Sequence, residues 1–145
     1  MKGMTLIVKK STQLIAGIII MYGIYVIVHG HLTPGGGFAG GVIIAGSLIL
    51  VTLAYGGEFL KLVKEEAGTT IIESMATIMV IMIATAGFFF GTKIFFNNFL
   101  PRGVVAQLIS AGVIPLYNIF VGTEVAASIF IIFLSLVIFK EESPQ

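Results

Sequence analysis

The chain has 145 residues, of which 57% are hydrophobic and 10% charged, with a mean hydropathy of +1.10. That is too much apolar surface for a soluble domain of this size, and it places the chain in a lipid bilayer. Eight Lys plus Arg against seven Asp plus Glu leave a formal charge of +1, which excludes the basic footprint of a nucleic-acid binder; the absence of cysteine excludes disulfides, a thiolate nucleophile and cysteine-ligated zinc or iron–sulfur centres. If the protein serves a redox centre, a partner carries it.

A helix rises about 1.5 Å per residue through a hydrocarbon layer about 30 Å thick, so each span needs about 20 apolar residues. Four stretches meet this criterion, which predicts an all-α integral membrane protein. The first span is expected over 11–28, preceded by Lys9 and Lys10 and followed by His29 and His31. No small-residue cleavage site follows it, so it reads as a retained span and not as a signal peptide. The second is expected over 35–55, the third over 71–92 and the fourth over 119–139. Between the last two, 104–118 is apolar but interrupted by Gln107, Ser110, Gly112 and Pro115. It is too short to cross alone. A short helix packed at the outer surface or a re-entrant piece is expected there, with the chain turning at Pro115.

Four spans put Lys2, Lys9, Lys10, Lys61, Lys64 and Lys140 on one side and Lys93 and Arg102 on the other. Both termini are therefore expected in the cytoplasm of a multi-pass protein of the cell membrane. The polar stretch 58–70 reads as a cytoplasmic loop. No internal repeat stands out, and residues 1–145 read as a single membrane domain.

The most unusual stretch is GHLTPGGGFAGGVIIAG, from Gly30 to Gly46, where a turn through Pro34 leads into the second span. Small residues recur four apart at Gly36 and Gly40, and at Gly37, Gly41 and Ala45, a spacing that lets another helix approach to backbone contact. A phosphate cradle is disfavoured, because no strand precedes the glycines and no Gly-Lys-Ser/Thr ending follows. A second reading is that the glycines leave the helix start unwound and expose backbone groups to an ion or a file of water. The two readings are compatible.

The core Pro34, Gly35, Gly36, Gly37, Phe38, Ala39, Gly40, Gly41 resembles the signature of the MnhB/MrpB family, the B subunits of multisubunit sodium/proton antiporters. Length, span count and the later GVIPLYNIFVGTEV stretch are consistent with that family, although only the glycine segment is specific. The resemblance implies an accessory subunit of a larger membrane assembly, with other antiporter or hydrogenase-type subunits, Na+, H+ and lipid as its partners. It also implies that the assembly is either a free antiporter or a redox-driven pump such as an archaeal membrane-bound hydrogenase or sulfur-reducing complex. No cofactor is expected in this chain.

Glu124 is the only acid well inside an expected span, and on a helical wheel it falls within roughly 40° of Ser128 and Ser135. An acid at that depth calls for a partner or a cavity. Glu124 and Ser128, with His31 beside the glycine segment, form the candidate ion path; the competing reading pairs Glu124 with Arg102 or Lys93 near the outer interface. His29 and His31 form a His-x-His pair, a weak metal signal that interface polarity explains as well. Glu73 lies near the cytoplasmic end of the third span, and Ser74, Thr77 and Thr85 form a stripe above it that reads as helix packing. No lysine lies inside a span, so the chain is expected to line an ion path and not to drive it. A scaffold without an ion site and a small homo-oligomeric channel are the alternatives, and no feature points to an enzyme.

Overall fold

The computed structural model describes residues 4–56, 68–90, 94–104, 106, 107 and 110–142. Lys2, Lys61, Lys64, Lys93 and most of the expected loop over 58–70 lie outside the described residues, and the side chain of Lys140 is likewise not described. Among the described residues every regular element is a helix: α1 Leu6–Val28, α2 Gly36–Tyr55, α3 Gly68–Phe90 and α4 Ile114–Glu142. Each contains a segment long and apolar enough to cross a bilayer. The protein is a multi-pass membrane protein.

Two boundaries move in ways that matter. Helix α3 begins at Gly68, three residues ahead of the expected start, so Glu73 falls in its second turn. Helix α4 begins at Ile114, five residues ahead, and Pro115 is its second residue. Proline is at home in a first turn, where its missing N–H has no helical partner to lose and its fixed φ suits the helix. Pro115 therefore starts the helix where a turn was expected. The described residues between α3 and α4 form turns and bends, and the expected short helix is not seen among them. Positive φ angles at Phe96, Gly103, Ala106, Ala111 and Gly112 explain this, since each interrupts a right-handed helix.

The packing order is α1, α2, α4, α3: α2 lies against α1 and α4, whereas α3 rests on α4. Large side chains such as Leu14, Met21, Phe89 and Phe90 point outward. The buried set is dominated by small residues, among them Ala16, Ala45, Ala54, Ala76, Ala84, Ala126 and Ala127. That inversion of a soluble core is what lipid favours, because tails solvate large apolar groups and only close backbone approach favours helix association. A tighter apolar knot, Phe130 and Leu134 against Leu48, Ile49, Phe133 and Val137, joins α2 to the later half of α4. Ser47 is fully buried and donates a 3.0 Å hydrogen bond to the Ala16 carbonyl, tying α2 to α1.

Candidate functional site

The glycine segment begins as α1 ends. The His29 carbonyl accepts the amides of Leu32 at 2.8 Å and Thr33 at 2.9 Å, and the Thr33 hydroxyl at 3.1 Å, which folds the chain into the turn holding Pro34. Gly35 at φ 126° and Gly36 at φ 62° then complete a reversal that a side chain would strain. From Gly37 onward the segment is regular helix, so the irregular backbone is confined to the turn and its glycines Gly35 and Gly36.

Within α2 the glycines divide between two neighbours. A Cβ on Gly40 would run into Ile27 and lie 2.7 Å from the Gly23 carbonyl oxygen, on α1. A Cβ on Gly37 would strike the Asn118 backbone, and one on Gly41 would lie 2.5 Å from the Gly122 carbonyl oxygen, both on α4. Helix α2 is thus wedged between α1 and α4 with no room for a methyl group on either side. Phe38 points outward and is 64% exposed. Asn118 reaches back to this turn: its Oδ1 accepts the Gly37 amide at 3.3 Å, while its buried Nδ2 has no partner.

The two histidines are engaged separately. His29 donates from Nδ1 to the Tyr25 carbonyl at 3.0 Å, and its ring stacks on Tyr25 with centroids 4.1 Å apart. His31 donates from Nε2 to the Gln107 carbonyl at 3.3 Å, which fixes the opposite tautomer and leaves Nδ1 a buried acceptor without a partner. Among the described residues no group of three or more potential metal ligands forms.

The densest polar chemistry lies where α3 crosses α4. Thr77 on α3 donates to Glu124 Oε1 on α4 at 3.1 Å, and Ser128 on α4 donates to Glu73 Oε1 on α3. Each helix therefore contributes an acid and, one turn on, a hydroxyl, and each hydroxyl serves the other helix's acid. The Thr77 hydroxyl is also 3.0 Å from the Glu73 carbonyl oxygen, a contact that orients it. Ser74, Thr85 and Ser135 bond only to carbonyls of their own helices and stand apart from this group.

Glu124 is ten residues from the start of α4, about 15 Å along the axis. Its side-chain partner is Thr77, and no bond to the candidate partner Arg102 forms. Arg102 instead lies in the segment between α3 and α4, beside Phe96 and Tyr117, and Lys93 lies outside the described residues. Glu73 and Thr77 join the site although their stripe reads as helix packing in the sequence. The signal was present as two acid–hydroxyl pairs four residues apart, Glu73 with Thr77 and Glu124 with Ser128, which put matching groups on single faces of two helices. His31 is not part of this group: it bonds to Gln107, in the segment between α3 and α4.

Comparison with known proteins agrees with the glycine signature. Residues 7–131 match the family model described as a domain related to the MnhB subunit of Na+/H+ antiporter. An uncharacterized protein of Methanocaldococcus jannaschii is 32% identical over 130 residues, covering 86% of this chain and 49% of that protein. The B-type subunit of the Na+/H+ antiporter of Bacillus subtilis is 44% identical over 50 residues, 34% of this chain and 35% of its own length. A chain in the structure of the membrane-bound sulfane sulfur reductase, an archaeal respiratory membrane complex, superimposes with a TM-score of 0.73 at 25% identity, covering 91% of this chain and 57% of that one. The chain thus spans about half the length, or less, of these relatives. A family model that takes in all but the two ends of the chain, and so nearly all four helices, shows that this protein belongs to the MnhB family.

Proposed function

We propose that this protein is an accessory membrane subunit of a multisubunit sodium/proton antiporter module, and that it lines a sodium path through Glu73, Thr77, Glu124 and Ser128. The observation that carries this reading is the crossed arrangement of two acids and two hydroxyls between α3 and α4. Hard monovalent cations are held by oxygen, and this group offers oxygen alone. Among the described residues no Lys, Arg or His pairs with either acid. An acid at the centre of a membrane helix costs about 2.5–3.5 kcal/mol on insertion scales, so it needs a cation, a cavity or a neighbouring subunit.

The larger assembly is a free antiporter or a redox-driven pump of the hydrogenase or sulfur-reductase kind, with the likeness to the sulfane sulfur reductase chain favouring the second. Other membrane subunits supply the pumping machinery and any redox centre, and this chain performs no catalysis of its own. Both termini face the cytoplasm, and the segment 94–113 lies at the outer surface, where His31 and Asn118 border the path. The glycine faces of α2 hold the frame on which α4 presents its half of the site.

The test is Glu73→Gln and Glu124→Gln in the assembled native complex. The expected result is a loss of sodium-dependent activity of about tenfold or more for either change, the scale of a lost charge-assisted contact, with assembly intact by co-purification. Unchanged sodium dependence in an intact complex would make the subunit a scaffold. Sodium flux through the purified chain alone in liposomes would make it a self-sufficient channel.

A further inference from the structure

The chain after α3 turns back onto its own helix. Phe96 donates its amide to the Ala84 carbonyl at 3.4 Å, and a Cβ on Gly87 would lie 2.6 Å from the Asn97 carbonyl oxygen. The Phe96 ring stands 5.6 Å from that of Tyr117, in the first turn of α4. Asn98 fixes this arrangement: its Oδ1 accepts the amides of Val113 at 3.0 Å and Leu100 at 3.3 Å, and Gly112 at φ 65° lies directly against its side chain.

Thr77 and Ala84 on α3, and Glu124 and Tyr117 on α4, are each two turns apart and so share a helix face. Thr77 bonds to Glu124 and Ser128 to Glu73, so the two helices run antiparallel. Ala84 and Tyr117 therefore come to one level, about 10 Å beyond the Thr77–Glu124 contact. Phe96 touches both, bridging α3 and α4 at the end of the crevice that holds the acids. Ala84 is fully buried and Gly87 has no side chain, so α3 offers little bulk of its own at that end and the returning chain supplies it. The same segment carries strain. Among the described residues the non-glycine positions with positive φ, Phe96, Ala106 and Ala111, all lie between α3 and α4, and Phe96 at φ 63° is the bulky one. Strained backbone of this kind is characteristic of switch segments. The Tyr117 hydroxyl is buried without a hydrogen-bond partner, so ring contact alone holds Phe96 to it, and Phe96 is 58% exposed, with open space to move into.

We propose that residues 94–98 form a plug over the α3–α4 crevice, with Phe96 as its stopper, and that the acids become accessible from that end when the ring swings off Tyr117. The proposal rests on the reading of the acid–hydroxyl group as a sodium path and supplies the control of one mouth. The chain has no cysteine, so Val121→Cys, on α4 between Tyr117 and Glu124 and on their face, is a background-free reporter. The full chain in lipid nanodiscs is treated with a charged methanethiosulfonate reagent, and its labelling rate is read by intact mass spectrometry. Adding Phe96→Ala should raise the rate by about severalfold to tenfold, the scale of one lost aromatic pair, with the melting temperature unchanged because the ring is largely exposed. Phe96→Tyr, which keeps a ring, should leave the rate where it was, as should Phe95→Ala, which trims the neighbouring ring 4.9 Å away. Equal rates with and without Phe96→Ala would overturn the proposal. An equal rise in Phe95→Ala would do the same, since it would show a general loosening of the segment. Labelling involves no sodium, so failure here leaves the sodium path standing, whereas unchanged sodium dependence in Glu124→Gln would remove that path without altering the labelling result.

Discussion

Replacing Gly41 by alanine tests the close approach of α2 and α4 with a single methyl group. The added Cβ would lie 2.5 Å from the Gly122 carbonyl oxygen and 2.9 Å from Val125 Cβ. Ordinary contact between such atoms is at ~3.5 Å, so the two helices must part by ~1 Å or bend locally. The oxygen belongs to backbone and cannot swing aside. Overpacking of this kind costs about 1–3 kcal/mol. Gly46, on the same helix, supplies the internal control, because nothing lies within 4 Å of a Cβ built there. Alanine at Gly46 removes backbone freedom from the unfolded chain and should be neutral or stabilising by up to about 1 kcal/mol. The two alanine variants should therefore differ by about 1–4 kcal/mol, several degrees in melting temperature. Thermal unfolding in detergent, followed by size-exclusion of the surviving protein, measures the gap. Coincident melting of Gly41→Ala and Gly46→Ala would refute the reasoning and mean that α2 and α4 are not in backbone contact.

Three further outcomes follow from particular contacts. Thr77→Val and Ser128→Ala each remove one hydroxyl from the acid–hydroxyl group, and the double-mutant cycle in sodium affinity of the complex should show coupling on the order of 0.5–2 kcal/mol; strict additivity would mean that the two hydroxyls serve separate sites. Ser47→Ala should destabilise the chain by about 0.5–1.5 kcal/mol by thermal melting, because its bond to Ala16 is a buried polar tie between α1 and α2. Asn98→Ala releases the amides of Val113 and Leu100 together, so limited proteolysis between residues 94 and 113 should quicken by about tenfold while the four helices remain protected; an unchanged cleavage rate would show that the loop does not depend on this side chain.

The spans were legible because their signal is crude: a bilayer demands about 20 apolar residues, and the sequence displays four such runs. What it did not display was the start of α3 and α4. Hydropathy marks where a helix becomes greasy, whereas the backbone becomes helical earlier, at Gly68 and Ile114, where polar or mixed residues still serve as the first turn. Those shifts decided the reading of the acids. They moved Glu73 from the third residue of its expected span into the second turn of α3, and Glu124 from the sixth residue of its span to the eleventh of α4, and the two acids share one helix crossing. The glycine segment was recognisable from its composition, but its division of labour was not: Gly40 against α1 and Gly37 and Gly41 against α4 depend on which neighbours α2 acquires. The orphan hydroxyl of Tyr117 and the clamp made by Asn98 are long-range features with no periodic signature.

The proposed sodium path also has an energetic argument in its favour. Thr77 and Ser128 supply one donated proton each to two carboxyl groups that together offer four oxygens. The group is therefore short of donors, and no other described side chain makes up the deficit. A fastening between two membrane helices forms at less cost from small apolar residues, as the contacts at Gly41 and Gly122 illustrate in the same molecule. Retaining two acids where none is needed for packing is favourable only if something else fills the vacant acceptors. On the proposed reading a sodium ion fills them. Removing one acid is therefore predicted to cut sodium-dependent activity by about tenfold or more while leaving the helices docked.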